Sequence, residues 1–254
     1  MLFSKHPRKR IFVDVASVCE RGLVRPDNQD HVLVNRRNCV FCVADGMGGG
    51  DGGAEASEIV CSTISEAVAR RTDFANRLRL VDAALAKANS SIHDYAVAHG
   101  YAKMATTATV LVLDAEESDN AVVGNIGDSR IYRFRHDKLK QLSRDHTMAN
   151  ELISCTQSST DAIVRCSLSH VLTRAVGVEP ELAVDWRRIE VRHGDAFLLC
   201  SDGVYDMVDD GELRAAFAAD GNASAIVRRI SEKAIAAGAE DNFSIVVVKV
   251  RRSK

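Results

Sequence analysis

Proline is nearly missing from this chain, with three in 254 residues, and neither a low-complexity tract nor a fixed-period repeat interrupts it. With a hydrophobic fraction of 46%, this excludes an extended or disordered protein and predicts one ordered globule, two small domains being the alternative. Long apolar runs are missing too. The longest are strand-sized, so no membrane span is expected. The basic "KHPRKR" at 5–10 leads into "IFVDVASV", which carries Asp14 and is too short for a secretory signal. Charge of one sign is not in excess: a net -2 offers nucleic acid no surface, and residues 1–10 read as a solvated basic tail. The seven cysteines are odd in number and scattered, which excludes a disulfide framework and fits the cytoplasm. Cys39 and Cys42 form a C-x-x-C, but residues three apart in a strand point to opposite faces and cannot grip one metal. No G-x-S-x-G elbow and no G-x-x-x-x-G-K-[ST] loop occurs, which excludes acyl-transfer and P-loop chemistry.

What the chain does have is glycine around an acid. In "CVADGMGGGDGGAEAS", residues 42–57, six of the eight residues after Asp45 are glycine. A glycine-rich turn between a strand and a helix is the usual cue for a phosphate nest. Here it presents a carboxylate, which repels phosphate unless a cation stands between them.

Around this loop the hydrophobic pattern predicts strands over 12–18, 31–34 and 39–44, then two amphipathic helices. The first places Val60, Ile64 and Val68 on one face, and the second Val81, Leu85, Ala88, Ile92 and Tyr95, closed by Gly100. Four short β-rich segments between 107 and 143 have the spacing of an antiparallel meander. From Met148 to His170 both periods vanish and an irregular excursion is expected. A strand at "DAFLLCSDG", helices over 212–219 and 224–237, and a closing strand at "NFSIVVVKV" complete the order. Strands, helix pair, strands, helix pair, strand is the order of an α+β fold: two stacked antiparallel sheets flanked by helix pairs.

Four aspartates stand where apolar strands stop, in Asp45-Gly46, Gly127-Asp128, Asp202-Gly203 and Asp241-Asn242, and Asp30 closes "RPDNQD". One such acid beside glycine is ordinary turn chemistry. Five at one rim of two stacked sheets could be neighbours only if cations neutralised them. The eight histidines are dispersed, so an oxygen-only set is left, which selects Mg²⁺ or Mn²⁺ over zinc. Two such ions can share a hydroxide and hold a phosphoryl oxygen, so phosphate-ester hydrolysis needs no protein nucleophile.

The ordered motifs "RGLVRPDNQD", "VADGMGG", "TTATVLVL", "NIGDSRIYR", "SRDHT", "VLTRAVG", "LLCSDGVYD" and "EDNFSIVVV" resemble the metal-dependent Ser/Thr protein phosphatases, the type-2C or PPM family, in their bacterial form. The resemblance implies an α-β-β-α sandwich over 11–252, with an irregular flap at about 147–171. It implies a Mg²⁺ or Mn²⁺ centre of two ions and a third, whose bridging hydroxide attacks phosphoserine or phosphothreonine. By the same resemblance, Asp45 bridges the ions, Gly46 offers its carbonyl, Asp202 and Asp241 complete the first site, and Asp30 acts through water. Asp128 matches the ligand of a third ion, and Arg25 matches the phosphate-binding arginine, whose planar guanidinium takes two oxygens at once. Met47 stands where many eukaryotic members carry a histidine proposed as general acid, so leaving-group protonation is expected to fall to water.

The implied protein is a cytoplasmic monomer acting on phosphoproteins and opposing a Ser/Thr kinase. The alternative is a catalytically idle phosphopeptide-binding or regulatory module on the same fold. Retention of all five aspartates and Arg25 favours the enzyme.

Overall fold

Strand residues alternate between two faces, and in the central strands of this protein both faces are apolar. The structure, a computed structural model, describes residues 11–47, 52–114, 119–155 and 168–252. The expected basic tail and the glycines at 48–50 lie outside them. The elements in chain order are β1 (Ile11–Glu20), β2 (Asp30–Asn35), β3 (Val40–Met47), α1 (Gly53–Ala67), α2 (Phe74–His99), β4 (Ala105–Thr106), β5 (Ala108–Leu113), β6 (Asn120–Ile126), β7 (Arg130–Arg135), β8 (Lys138–Gln141), α3 (Met148–Cys155), β9 (Asp185–Glu190), β10 (Ala196–Cys200), α4 (Asp202–Tyr205), α5 (Asp210–Ala218), α6 (Ala223–Ala236) and β11 (Phe243–Arg252).

One sheet runs β1-β11-β10-β7-β8 and the other β2-β3-β5-β6-β9, with β4 on β3, and every pairing is antiparallel. The two sheets stack. Phe41 and Val43 of β3, Leu111 and Leu113 of β5, Phe197 and Leu199 of β10, and Val246 and Val248 of β11 fill the layer between them. The alternate residues face outward under helices: Val40, Cys42 and Ala44 under α1 and α2, Leu198 and Val247 under α5 and α6. Continuous apolar runs are what strands buried on both faces require. The α-β-β-α sandwich expected from the sequence is the fold.

Caps define the helix ends. Asp73 accepts from the Asn76 N–H at the start of α2, and Gly100 ends it with φ 70°. Asp209 and Asn222 cap α5 and α6 in the same way.

The fold corrects the sequence reading in four places. The expected meander is split: β5 and β6 pair in one sheet, β7 and β8 in the other, and the chain crosses between sheets at Gly127, whose φ is 93°. Turn-sized spacing alone cannot tell a hairpin from a crossing. The expected irregular excursion begins with helix α3, too short to show a period, whose N-terminus Thr147 supports by accepting from the Asn150 N–H. Strand β9 and the single turn α4 were not expected, β9 because "DWRRIE" is an edge strand with a charged outer face. Cys39 lies in the turn before β3 at φ 51° rather than in the strand. It still faces the inter-sheet core while Cys42 faces the helices, so the two thiols remain on opposite sides.

Candidate metal and phosphate site

Strand direction gathers the acids. β3 and β6 end, and β2, β7 and β11 begin, at the same edge of the sandwich, where α4 also follows β10. Asp30 pairs with Asp45 across β2 and β3. The edge encloses a pocket of about 620 Å³ walled by Arg25, Asp45, Gly46, Asp128, Asp202 and Asp241, with Met47, His170 and Leu172. Six of the seven expected site residues therefore meet there. The seventh, Asp30, is buried behind the pocket at 2% exposure and is not part of its wall.

Each acid is held by its own backbone surroundings. The Asp45 N–H donates to Thr107 Oγ1 at 2.9 Å, and the Asp45 carbonyl accepts from the Thr107 N–H at 2.8 Å and from Thr106 Oγ1 at 2.9 Å. That accounts for the first two threonines of "TTATVLVL", Thr106 and Thr107. Gly46 donates to the Gln29 carbonyl, and a Cβ there would lie 2.0 Å from the Gly53 carbonyl oxygen. Glycine at 46 is thus required by the packing of α1 as well as by any approach of an ion. Gly203 is fixed by the same argument, its would-be Cβ lying 2.1 Å from the Asn242 carbonyl oxygen.

The Asp128 turn is clamped from both sides. His146 Nδ1 accepts from the Gly127 N–H at 3.1 Å, the His146 N–H donates to the Gly127 carbonyl, and Tyr205 Oη donates to the Asp128 carbonyl. His146 Nε2 pairs with Asp185 at 3.1 Å, which places the imidazole proton on Nε2. The loop bearing Arg25 is pinned by Asn242. Its Oδ1 accepts from the Gln29 N–H, and its Nδ2 donates to the Arg21 and Asp27 carbonyls. Arg25 itself reaches Asp241 at 2.7 Å.

Two residues of the site escaped the sequence reading. His170 and Asp206 lie with Asp202 so that their ligand atoms are all within 4.8 Å of one another. Asp206 stands four residues beyond Asp202 on one helical turn, the spacing that signals a shared face. His170 had no such signal, because it closes the aperiodic excursion.

A model of the protein phosphatase 2C family matches residues 16–236. The chain belongs to that family. It is 30% identical over 235 residues to the serine/threonine phosphatase stp of Listeria monocytogenes, covering 91% of this chain and 93% of that one. Among solved structures it resembles PppA, a key regulatory component of the T6SS in Pseudomonas aeruginosa, with a TM-score of 0.84 and 31% identity, covering 96% of this chain and all of that one. It also resembles the catalytic domain of the phosphatase PstP in complex with two manganese ions, with a TM-score of 0.82 and 29% identity over 95% and 99% of the two chains. As a 2C phosphatase the chain is by class a metal-dependent protein serine/threonine phosphatase.

The donor set fits hard cations. Burial, and then the charges of Asp30, Asp202 and Asp128, push the Asp45 carboxyl well above the usual range. Burial and Asp241 raise Asp202. Asp30 and Asp128 are each pushed from 3.8 to about 7, chiefly by burial. Asp30 Oδ2 accepts from Ser201 Oγ at 2.7 Å, while its buried Oδ1 has no partner among the described residues. Arg25, itself exposed, is the only lysine or arginine on the pocket wall among the described residues. Carboxylates gathered so densely call for positive charge that these side chains do not supply.

A pH dependence follows. An acid whose folded pKa is raised contributes stability that is full below its unfolded pKa and is lost as pH rises through the folded value. The metal-free protein is therefore expected to lose on the order of 4 kcal/mol from each of Asp30 and Asp128 between about pH 4 and pH 7. Mn²⁺ should then raise Tm more at about pH 7.5 than at about pH 5. Thermal melts in chelator and in Mn²⁺ at both pH values check this. A chelated protein more stable at the higher pH contradicts it.

Proposed function

We propose that this chain hydrolyses phosphoserine and phosphothreonine esters of proteins at the pocket described above, acting as a cytoplasmic monomer that reverses a bacterial Ser/Thr kinase. The observation that carries the reading is the convergence of Asp45, Asp128, Asp202 and Asp241 with Arg25 around one pocket. In this reading Asp45, the Gly46 carbonyl, Asp202 and Asp241 hold a pair of Mn²⁺ or Mg²⁺ ions, Asp128 and Asp202 hold a third, and Asp30 acts from behind through water. When bound, such ions acidify water toward neutrality and offset phosphoryl charge.

The protein's own groups do the rest. Arg25 is paired with Asp241, and with Asp241 engaged as a metal ligand the guanidinium would be free to take two phosphoryl oxygens. Among the described residues the wall carries no serine, threonine, cysteine or lysine, which supports attack by water over attack by a hydroxyl, thiol or amine. Met47 has no proton to give, so water protonates the leaving serine or threonine oxygen. An idle phosphopeptide module has no use for so complete a set of acids.

The test is phosphate release from phosphothreonine peptides by the purified chain in Mn²⁺, alone and with Arg25→Ala. Hydrolysis is expected, with the variant raising KM about 10- to 100-fold, the span of a charge-assisted hydrogen bond, while kcat changes less. No phosphate release, or an unaltered KM in the variant, overturns the assignment.

A further inference from the structure

A second pocket, of about 290 Å³, adjoins the first and shares Met47 and Leu172 with it as walls. Its floor and far side are apolar, built from Ile126, Val178, Leu182 and Ala183. Ile126 is buried at its base, while Val178 is 56% exposed at its mouth. At about 30 Å³ per water the space equals roughly ten waters, enough for one large side chain.

The walls are preformed. Val176 exchanges two backbone hydrogen bonds with Thr106, at 2.8 and 3.1 Å. The Gly177 N–H donates to Asn89 Oδ1 at 2.7 Å, and Asn89 Nδ2 returns a bond to the Glu179 carbonyl at 2.8 Å. The next segment is tied by Arg174, which pairs with Asp185 at 2.9 Å. With Arg174 engaged, the charges left to the pocket are Glu179 and Glu181, neither of which has an ion-pair partner among the described residues. An open, largely apolar pocket with hydrogen-bonded walls, which no side chain of the described residues fills, marks a binding surface.

We propose that this pocket receives an aliphatic or aromatic side chain of the protein substrate within a few residues of the phosphorylated serine or threonine, and that Glu179 and Glu181 select a lysine or arginine beside it. The inference rests on the reading of the first pocket as the phosphoester site. Continuity identifies the occupant: a chain whose phosphorylated residue sits between Asp45 and Asp202 has its neighbours at Met47 and Leu172. The family-defining acids choose the phosphate, and this pocket chooses the sequence around it.

The experiment uses the full chain in Mn²⁺ with p-nitrophenyl phosphate and a set of alanine-rich phosphothreonine peptides. Leucine is walked through the positions flanking the phosphothreonine, and lysine or aspartate is then set beside it. One position is expected at which leucine raises kcat/KM about tenfold or more over alanine, with lysine preferred to aspartate next to it. In Val178→Asp, and in the second variant Ala183→Asp, the leucine-to-alanine ratio at that position should fall to about one. In Glu181→Lys the charge preference should reverse. Comparing peptides within each variant cancels any loss common to both. A flat leucine scan, or a leucine preference that survives both aspartate variants, overturns the pocket while p-nitrophenyl phosphate hydrolysis leaves the phosphatase reading standing. No hydrolysis of any probe overturns both.

Discussion

Asp45→Asn is expected to reduce phosphopeptide turnover by roughly a thousandfold or more, the equivalent of several kcal/mol of transition-state charge stabilisation. The amide keeps the shape of the side chain and can still offer an oxygen, but it removes the negative charge at the centre of the cluster. Folding should survive, because Asp45 is anchored through its backbone by Thr106 and Thr107. The variant carries a second signature. In the metal-free protein the Asp45 carboxylate is disfavoured by burial and by Asp30, Asp202 and Asp128, so removing its charge relieves repulsion. Chelated Asp45→Asn should therefore melt above the chelated parent near neutral pH, while losing the stabilisation that Mn²⁺ gives. Rate loss with raised metal-free stability separates a cation-binding acid from a merely structural one. Retained turnover, measured as phosphate release beside a thermal melt, contradicts the role.

Asp128→Ala is expected to lower kcat by about a hundredfold while leaving two tight metal sites in place. The alternative role, a turn cap, would cost about 1 kcal/mol of stability and little rate. The structure weakens that alternative in one respect. The Gly127-Asp128 turn is already held by the Gly127 N–H on His146 Nδ1, by the His146 N–H on the Gly127 carbonyl, by Tyr205 on the Asp128 carbonyl, and by Asn125 Nδ2 on the Gly127 carbonyl. Asp128 is 95% buried by the fold yet reaches the pocket wall, and its carboxyl is raised to about 7 by burial and then by Asp202. On the proposed reading, an acid kept there against that cost serves a cation shared with Asp202. Steady-state kinetics with a metal titration distinguish the roles: normal kcat with a lowered Tm returns Asp128 to the turn.

Much of this was legible in the sequence, and the residues explain why. β3, β10 and β11 are apolar on both faces because each is sandwiched between the other sheet and a helix pair, so their runs stand out. The acids announced themselves by bounding those runs: Asp45 stands near the end of β3, Asp202 just past the end of β10 and Asp241 just before the start of β11, each beside a strand that is mostly buried. What the pattern could not carry was the partition of strands between sheets. The segments on either side of Gly127 look like one continuous meander, and only the left-handed backbone at Gly127 sends β7 to the other sheet. Without that crossing Asp128 would not meet Asp202. Asp30 was legible as an acid of the set but not as one behind the wall, since its depth follows from Ser201 and Ser244 of the opposite sheet closing over it. His170, Asn242 as the pin of the Arg25 loop, and the apolar pocket beyond Met47 depend on contacts between residues far apart in the chain. No local spacing encodes those.

The most direct measurement is a calorimetric titration of Mn²⁺ into the chelated, dialysed protein and into Asp45→Asn. The account predicts two tight sites and a weaker third in the parent, with the tight pair lost in the variant. Absence of saturable binding in the parent, or identical binding by the two proteins, would contradict it.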